Sequence, residues 1–227
     1  MKRLASSVIA AAVIGCSSTP PPPDWAVNAQ GAMERSVSAY LAGNTRVAAL
    51  ELARARAEVA RTGAPARVAR LELVHCAAEV ASLVFTTCPA YQAVAPDAAV
   101  PEVAYARYLL AQATPADAPH LPEAHRSLVG LAPDMAAPHV AAIADPLSRL
   151  VAAGVLLRSE RANDAVVHSA VDAASAQGWR RPLMAWLHVA LARAQAAGQA
   201  EEAARLKRRL DLVSPGAPAA GMSAPAQ

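Results

Sequence analysis

The sequence predicts an all-α protein, an antiparallel array of helical hairpins with an irregular, proline-rich segment in its middle. Alanine fills about a quarter of the 227 positions, and Leu and Arg, both frequent, are also good helix formers. Only 4% of residues are aromatic, and no segment alternates apolar and polar residues as a half-buried strand does. Apolar residues instead recur at helical spacing between breaks set by 18 Pro and 10 Gly. The length is ample for one domain with a real core. A formal charge of +3 with pI ≈ 9.0 is a small excess and gives no basic patch for nucleic acid.

The chain opens with Lys2 and Arg3, followed by an apolar run from Leu4 to Ile14 broken only by Ser6 and Ser7. A bilayer span takes about 20 apolar residues, so this run is too short to cross one and suits the central region of a secretory signal. It ends in Val13-Ile14-Gly15-Cys16, which resembles the lipobox of bacterial lipoproteins, with Ile14 where Ala or Ser is more usual. The resemblance implies that residues 1–15 are removed and that Cys16 becomes a lipidated N-terminus, carrying acyl chains of the palmitate kind. Ser17 is not the Asp that marks inner-membrane retention in enterobacterial lipoproteins, which implies an outer-membrane anchor facing the periplasm. Removal of Lys2 and Arg3 lowers the formal charge from +3 to +1, so nucleic acid is not an expected partner. Residues 16–23 then form an extended spacer of about 3 Å per residue. Residues 214–227, rich in Pro and small residues, have no periodicity and read as a disordered tail.

The body is a single domain over residues 24–213. Asp24 is placed as the N-cap of a first helix that ends at Gly43-Asn44, with apolar positions from Trp25 through Met33, Val37 and Tyr40. A second helix is expected over about 45–61, with Val47, Leu50 and Val59 inward and an arginine-rich face outward. A third, about 66–84, places Val68, Leu71, Val74, Ala78 and Ala81 on one side. Prolines at 89, 96, 101, 115, 119, 122, 133 and 138 break the middle, leaving room for short helices at about 102–113 and 122–130. Regularity returns with helices at about 146–158, 163–177, 181–197 and 200–212.

The segment from Ala39 to Ala55 is similar to the turn and second helix of a tetratricopeptide repeat, with Gly43, Ala48, Leu52 and Ala55 in the small, small, bulky and small positions. Gly198, Ala203, Lys207 and Leu210 repeat the spacing, with Lys207 in place of a bulky apolar residue and Leu210 in place of a small one. Glu160, Ala165 and Ser169 form a weaker echo without the Gly. The period of 34 residues is not kept, and the similarity covers about a third of the chain. It implies sequentially stacked helix pairs with a concave face. By that register Gln30, Met33, Val37 and Tyr40 line a groove at the N-terminal end, and His188 and Gln195 line it at the other. Ordinary packing between helix pairs accounts equally well for Met33 and Val37.

Few residues suggest chemistry. With Cys16 lipidated, Cys76 and Cys88 remain as an even pair in an oxidising compartment, where a disulfide persists. Helix from Cys76 to Phe85 rises about 13.5 Å and the three residues to Cys88 return about 10 Å, so a bridge needs an immediate reversal or an early helix end. Buried free thiols or a redox pair are the alternatives, although the spacing is not CxxC. The six His include His120, His125 and His139 in the proline-rich middle, but no HExxH or other ligand spacing occurs, so no metal is expected. No GxSxG elbow, phosphate-binding glycine loop or carboxylate pair stands out, and no cofactor is implied. Glu201-Glu202 opens a helix, where acids favour its dipole, and Asp134, Asp145 and Asp164 near helix starts read as caps. The basic run from Arg205 to Arg209 reads as a solvated face, with anionic lipid as the alternative contact.

These readings converge on a non-enzymatic, lipid-anchored periplasmic adaptor that binds a protein or peptide in the envelope. The competing class is an enzyme or small-ligand carrier with its site in residues 86–140. The anchor gives the first prediction. Cys16→Ala abolishes lipid labelling and moves the protein from the membrane to the soluble fraction; retention through a high-salt wash would rule out lipid as the anchor.

Overall fold

The computed structural model describes residues 21–214. The signal segment 1–15, Cys16 with most of the spacer, and the tail after Ser214 lie outside the described residues. Within them the fold is all-helical, without a strand. The helices are α1 (Asp24–Ala42), α2 (Thr45–Ala60), α3 (Pro65–Ala81), α4 (Pro89–Gln92), α5 (Val100–Leu109), α6 (Glu123–Arg126), α7 (Ala136–Ala142), α8 (Pro146–Arg158), α9 (Asp164–Ala176), α10 (Arg180–Ala196) and α11 (Ala200–Val213). Single 3₁₀ turns at Ala95–Asp97, Ala118–His120 and Pro133–Met135 punctuate the proline-rich middle. There the short helices α4 and α7 were not anticipated, and the expected segments over 102–113 and 122–130 contract to α5 and α6.

Helices α1 and α2 form a hairpin because Gly43 adopts φ 91°, a conformation a Cβ disfavours. The amides of Gly43 and Asn44 donate to the carbonyls of Tyr40 and Ala39, closing the end of α1. The Asn44 side chain then accepts from the Val47 amide at 3.3 Å and caps α2. That cap sets the phase of α2 and corrects the sequence reading. Ala48, Leu52, Ala55 and Val59 face inward, one stripe at helical spacing, while Val47 and Leu50 are 40% and 53% exposed. Asp24 also shifts: Pro23 holds the N-cap position and Asp24 begins the first turn, where its charge still favours the helix dipole. Of the other acids, Asp145 does cap α8, accepting from the Ser148 amide at 2.7 Å. At α9 the cap is Asn163, and Asp164 follows it inside the helix.

The third helix is not a one-sided surface helix. It is central, with buried residues around its circumference that include Leu71, Leu73, Cys76, Ala78 and Val80. It ends at Ala81, earlier than its apolar pattern suggests, because Leu83 turns to φ 60°. The amides of Leu83 and Val84 donate to the carbonyls of Val80 and Glu79, the same closure that Gly43 makes for α1. This early end brings the chain back at once, so the Cα atoms of Cys76 and Cys88 lie 5.6 Å apart and the two pair as a disulfide.

Helix α8 crosses α3 at very close range. A Cβ built on Gly154 would lie 2.5 Å from the Val80 backbone oxygen and 3.0 Å from its side chain. Small residues on both sides, Ala77 and Ala81 on α3 and Ala152 and Ala153 on α8, are buried in the same core. The buried C-terminal end of α3 and the chain leaving it are tied down from two directions. Trp186 of α10 donates its indole N–H to the Ala81 carbonyl at 3.0 Å. Arg158, in the last turn of α8, donates to the carbonyls of Thr86 at 3.1 Å and Leu109 at 3.3 Å.

Consecutive helices are also stapled by charge. Arg35 of α1 holds Glu51 of α2, Arg56 of α2 holds Glu72 of α3, and Arg70 of α3 holds Glu102 of α5. In each pair the carboxylate is buried and the guanidinium reaches it from an exposed stem. The remaining helices α8 to α11 run back and forth, each packed on the next. Arg181 of α10 closes the molecule by donating to the Tyr40 carbonyl and the Thr45 hydroxyl. Contacts of α1 with α10 and of α3 with α8 therefore join segments far apart in sequence, unlike an array whose units touch only their neighbours.

The crossing at Gly154 makes a prediction that opposes local propensity. Gly154→Ala would gain up to about 1 kcal/mol in an open helix. Here overpacking of about 1–3 kcal/mol should outweigh that gain and lower Tm by a few degrees. A Tm equal to or above the parent's would show that α3 and α8 can separate without cost.

Candidate functional site

A large apolar concavity lies where α1, α3 and α5 come together. Its first section, about 770 Å³, is lined by Trp25, Ala29, Gln30 and Met33 of α1, by Arg67, Arg70, Leu71 and Val74 of α3, and by Ala99, Pro101 and Glu102 at the start of α5. A second section of about 440 Å³ continues it past Leu73 and Tyr105 to His120, Leu121 and Pro122. Both sections share Arg70, Val74, Pro101 and Glu102, so they form one groove, open to solvent along one side.

Each polar wall residue of the first section has an internal partner. Gln30 Nε2 donates to Glu34 Oε1 at 2.9 Å, one turn along α1. The Arg70 guanidinium donates to Glu102 Oε1 at 2.9 Å and marks the boundary between the two sections. Arg67 lies over the Trp25 ring, 4.6 Å from its centroid. The groove thus presents hydrocarbon and aromatic surface flanked by a few polar groups that engage one another in part.

The structure divides the residues that sequence reading assigned to a groove. Gln30 and Met33 do line it, Gln30 from the exposed side and Met33 from the core. Val37 packs against α2 and α3 instead. Tyr40 is buried under the Arg181 guanidinium, 4.2 Å from its ring centroid, and burial pushes its phenol pKa upward. His188 and Gln195 are exposed on α10 and do not belong to this groove. Their grouping with Met33 assumed a continuous concave stack, whereas the wall opposite α1 is built by α3 and α5. Arg67, Arg70, Pro101, Glu102, Tyr105 and His120 were missed as a set. They come from segments with no common motif, and only the tertiary fold joins them.

Beneath the second section sits a buried aromatic cluster. Tyr108 Oη lies 3.1 Å from His125 Nδ1, and Tyr105 stacks 6.1 Å from Tyr108 and 6.0 Å from His125. Burial raises the pKa of both phenols, and it lowers the His125 imidazole to about 4. His125 is therefore neutral at pH 7, and its Nδ1 shares one hydrogen bond with a phenol. His120 is exposed at the groove rim and His139 bonds the Met135 carbonyl in the 3₁₀ turn just before α7, so the three histidines do not converge. Among the described residues no group of three His, Cys, Asp or Glu side chains forms a metal-binding set. None of the described helices is long and apolar enough to cross a membrane. Comparison with protein-family models, with curated proteins and with solved structures finds no match.

The depressed His125 pKa sets a pH dependence. The unfolded chain binds this proton near pH 6.5 and the folded chain near pH 4, so unfolding takes up a proton between them. The contribution to stability is full above about pH 6.5 and is lost as pH falls toward 4. At about 1.4 kcal/mol per unit the change is of the order of 3 kcal/mol. His75 is shifted the same way by burial, so the comparison needs a variant. His125→Phe should flatten the melting-temperature profile between pH 6.5 and 4 relative to the parent. A profile parallel to the parent's would show that His125 titrates normally.

Proposed function

We propose that this chain is a lipid-anchored envelope protein whose helical body acts as a protein-binding adaptor. The lipobox-like end supports the anchor. The observation that carries the binding role is the open apolar groove between α1, α3 and α5. A mostly apolar concavity with a few polar groups at its edge is the usual form of a binding site. A partner whose backbone is already hydrogen-bonded, such as the apolar face of an amphipathic helix, suits a groove whose lining is mostly apolar.

The α1/α2 hairpin supports a tetratricopeptide-like reading of that part, since Ala48, Leu52 and Ala55 are buried beyond a left-handed Gly43. At the C-terminal hairpin the likeness weakens. Lys207 is exposed, and Leu206 and Leu210 fill the interface instead. A ligand-carrier role is the second reading, favoured by the extension of the groove to Tyr105 and His120 within residues 86–140.

Photo-crosslinking in the native envelope tests the adaptor. A photoreactive side chain at Gln30 or Ala99, both at the groove, should give one shared protein adduct, and one at His188 or Gln195 should give none. Adducts from the α10 positions alone would move the site there. Absence of any protein adduct would count against an adaptor and for the ligand-carrier reading.

A further inference from the structure

We propose that the groove seats one acyl chain of the lipid on Cys16, sheltering it while the protein is off the membrane. This rests on the lipid-anchor reading, and it adds a ligand to the groove in which that reading places a partner. The chemistry of the walls selects the ligand class. Gln30 is engaged by Glu34, Arg70 by Glu102, and Arg67 by the Trp25 ring. The lining helices satisfy their own backbones. An extended peptide would set most of its amides and carbonyls against hydrocarbon, and burying them unpaired is costly. A hydrocarbon chain brings none and gains with every methylene removed from water. The shape agrees, because two sections sharing Val74 and Pro101 make an elongated channel rather than a round pocket.

The chain's own connectivity supplies the occupant. Trp25, the second residue of α1, stands at the groove, and Pro23 before it is extended at φ −65°, ψ 148°. Only nine positions separate Cys16 from Trp25. Nine residues reach at most about 32 Å, so a lipid on Cys16 is tethered within range of the groove at Trp25. Tethering makes the encounter intramolecular, at a high effective concentration. A bilayer takes up all the chains at once and is the stronger sink. Anchoring therefore empties the groove and leaves it open to a partner helix.

The test uses the mature lipidated protein, its non-lipidated Cys16→Ala form, and cis-parinaric acid as a fluorescent acyl probe. The Cys16→Ala form should bind the probe. Val74→Glu, or Ala99→Trp on an exposed residue outside the core, should weaken that binding at least tenfold in the same background. Leu50→Glu, exposed on α2, should leave it unchanged. The lipidated protein in vesicle-free buffer should bind the probe at least tenfold more weakly than Cys16→Ala, its groove being filled. Failure of Cys16→Ala to bind overturns the proposal and leaves helix docking as the use of the groove. Equal binding by the two forms, with lipid shown on Cys16 by intact mass, overturns self-occupancy alone. An intact mass without lipid overturns the anchor and self-occupancy together, while the probe result still reports whether the groove accepts acyl chains.

Discussion

The fold depends on the close crossing of α3 and α8. With Gly154 against the Val80 carbonyl, two backbones meet at a distance that no larger residue permits. That contact fixes the end of α3, and several other constraints gather around it. Three helices stop here with a left-handed residue that is not glycine: Leu83 after α3, Ala111 after α5 and Glu160 after α8. Each such residue costs on the order of 1–2 kcal/mol. All three close their helices with the same pair of reverse hydrogen bonds that Gly43, Gly178 and Gly198 make at less crowded ends. Arg158 bridges the first two of these exits, and its guanidinium lies 5.5 Å from the Phe85 ring. The disulfide then secures the strand of chain leaving α3, a loop closure worth about 3 kcal/mol in the entropy model.

A second principle organises the N-terminal half. Its arginines do not simply face water, as an amphipathic pattern suggests. Arg35, Arg56 and Arg70 each reach across to a buried carboxylate on a packed neighbour, α2, α3 and α5 in turn, so each helix is aligned by a directional contact. With the acids consumed in this way, the surface left between α1, α3 and α5 is mostly apolar. The groove is thus a by-product of the stapling. The Arg70–Glu102 pair that joins α3 to α5 is also the wall shared by its two sections.

Much of the helical framework was legible because it is written in local chemistry. The glycine turn at 43, the Pro-initiated helices and the return of regularity after Pro146 all place elements within a few residues of where they lie. The inward face of α2 was misread because Val47 and Leu50 are the bulkier residues, whereas packing against α1 selects the small ones. The pairing of Cys76 with Cys88 was conditional in the sequence, since it turned on where α3 stops. Nothing local announces a stop at Leu83, a residue that by propensity would continue the helix.

The sequence by itself determined the all-α class and most helix positions, because both rest on short-range propensity. Only the tertiary structure decided which face of each helix is buried, where the helices without a glycine stop end, and which residues share the groove. Gln30 and Met33 meet Pro101 and Tyr105 across about seventy residues of chain, while His188, assigned to the same surface by register, lies elsewhere on α10. The physical reason is that side-chain periodicity specifies that a helix has an inner face but not its neighbour. That choice is made by backbone approach at Gly154 and by long-range arginine contacts, neither of which leaves a periodic trace in the sequence.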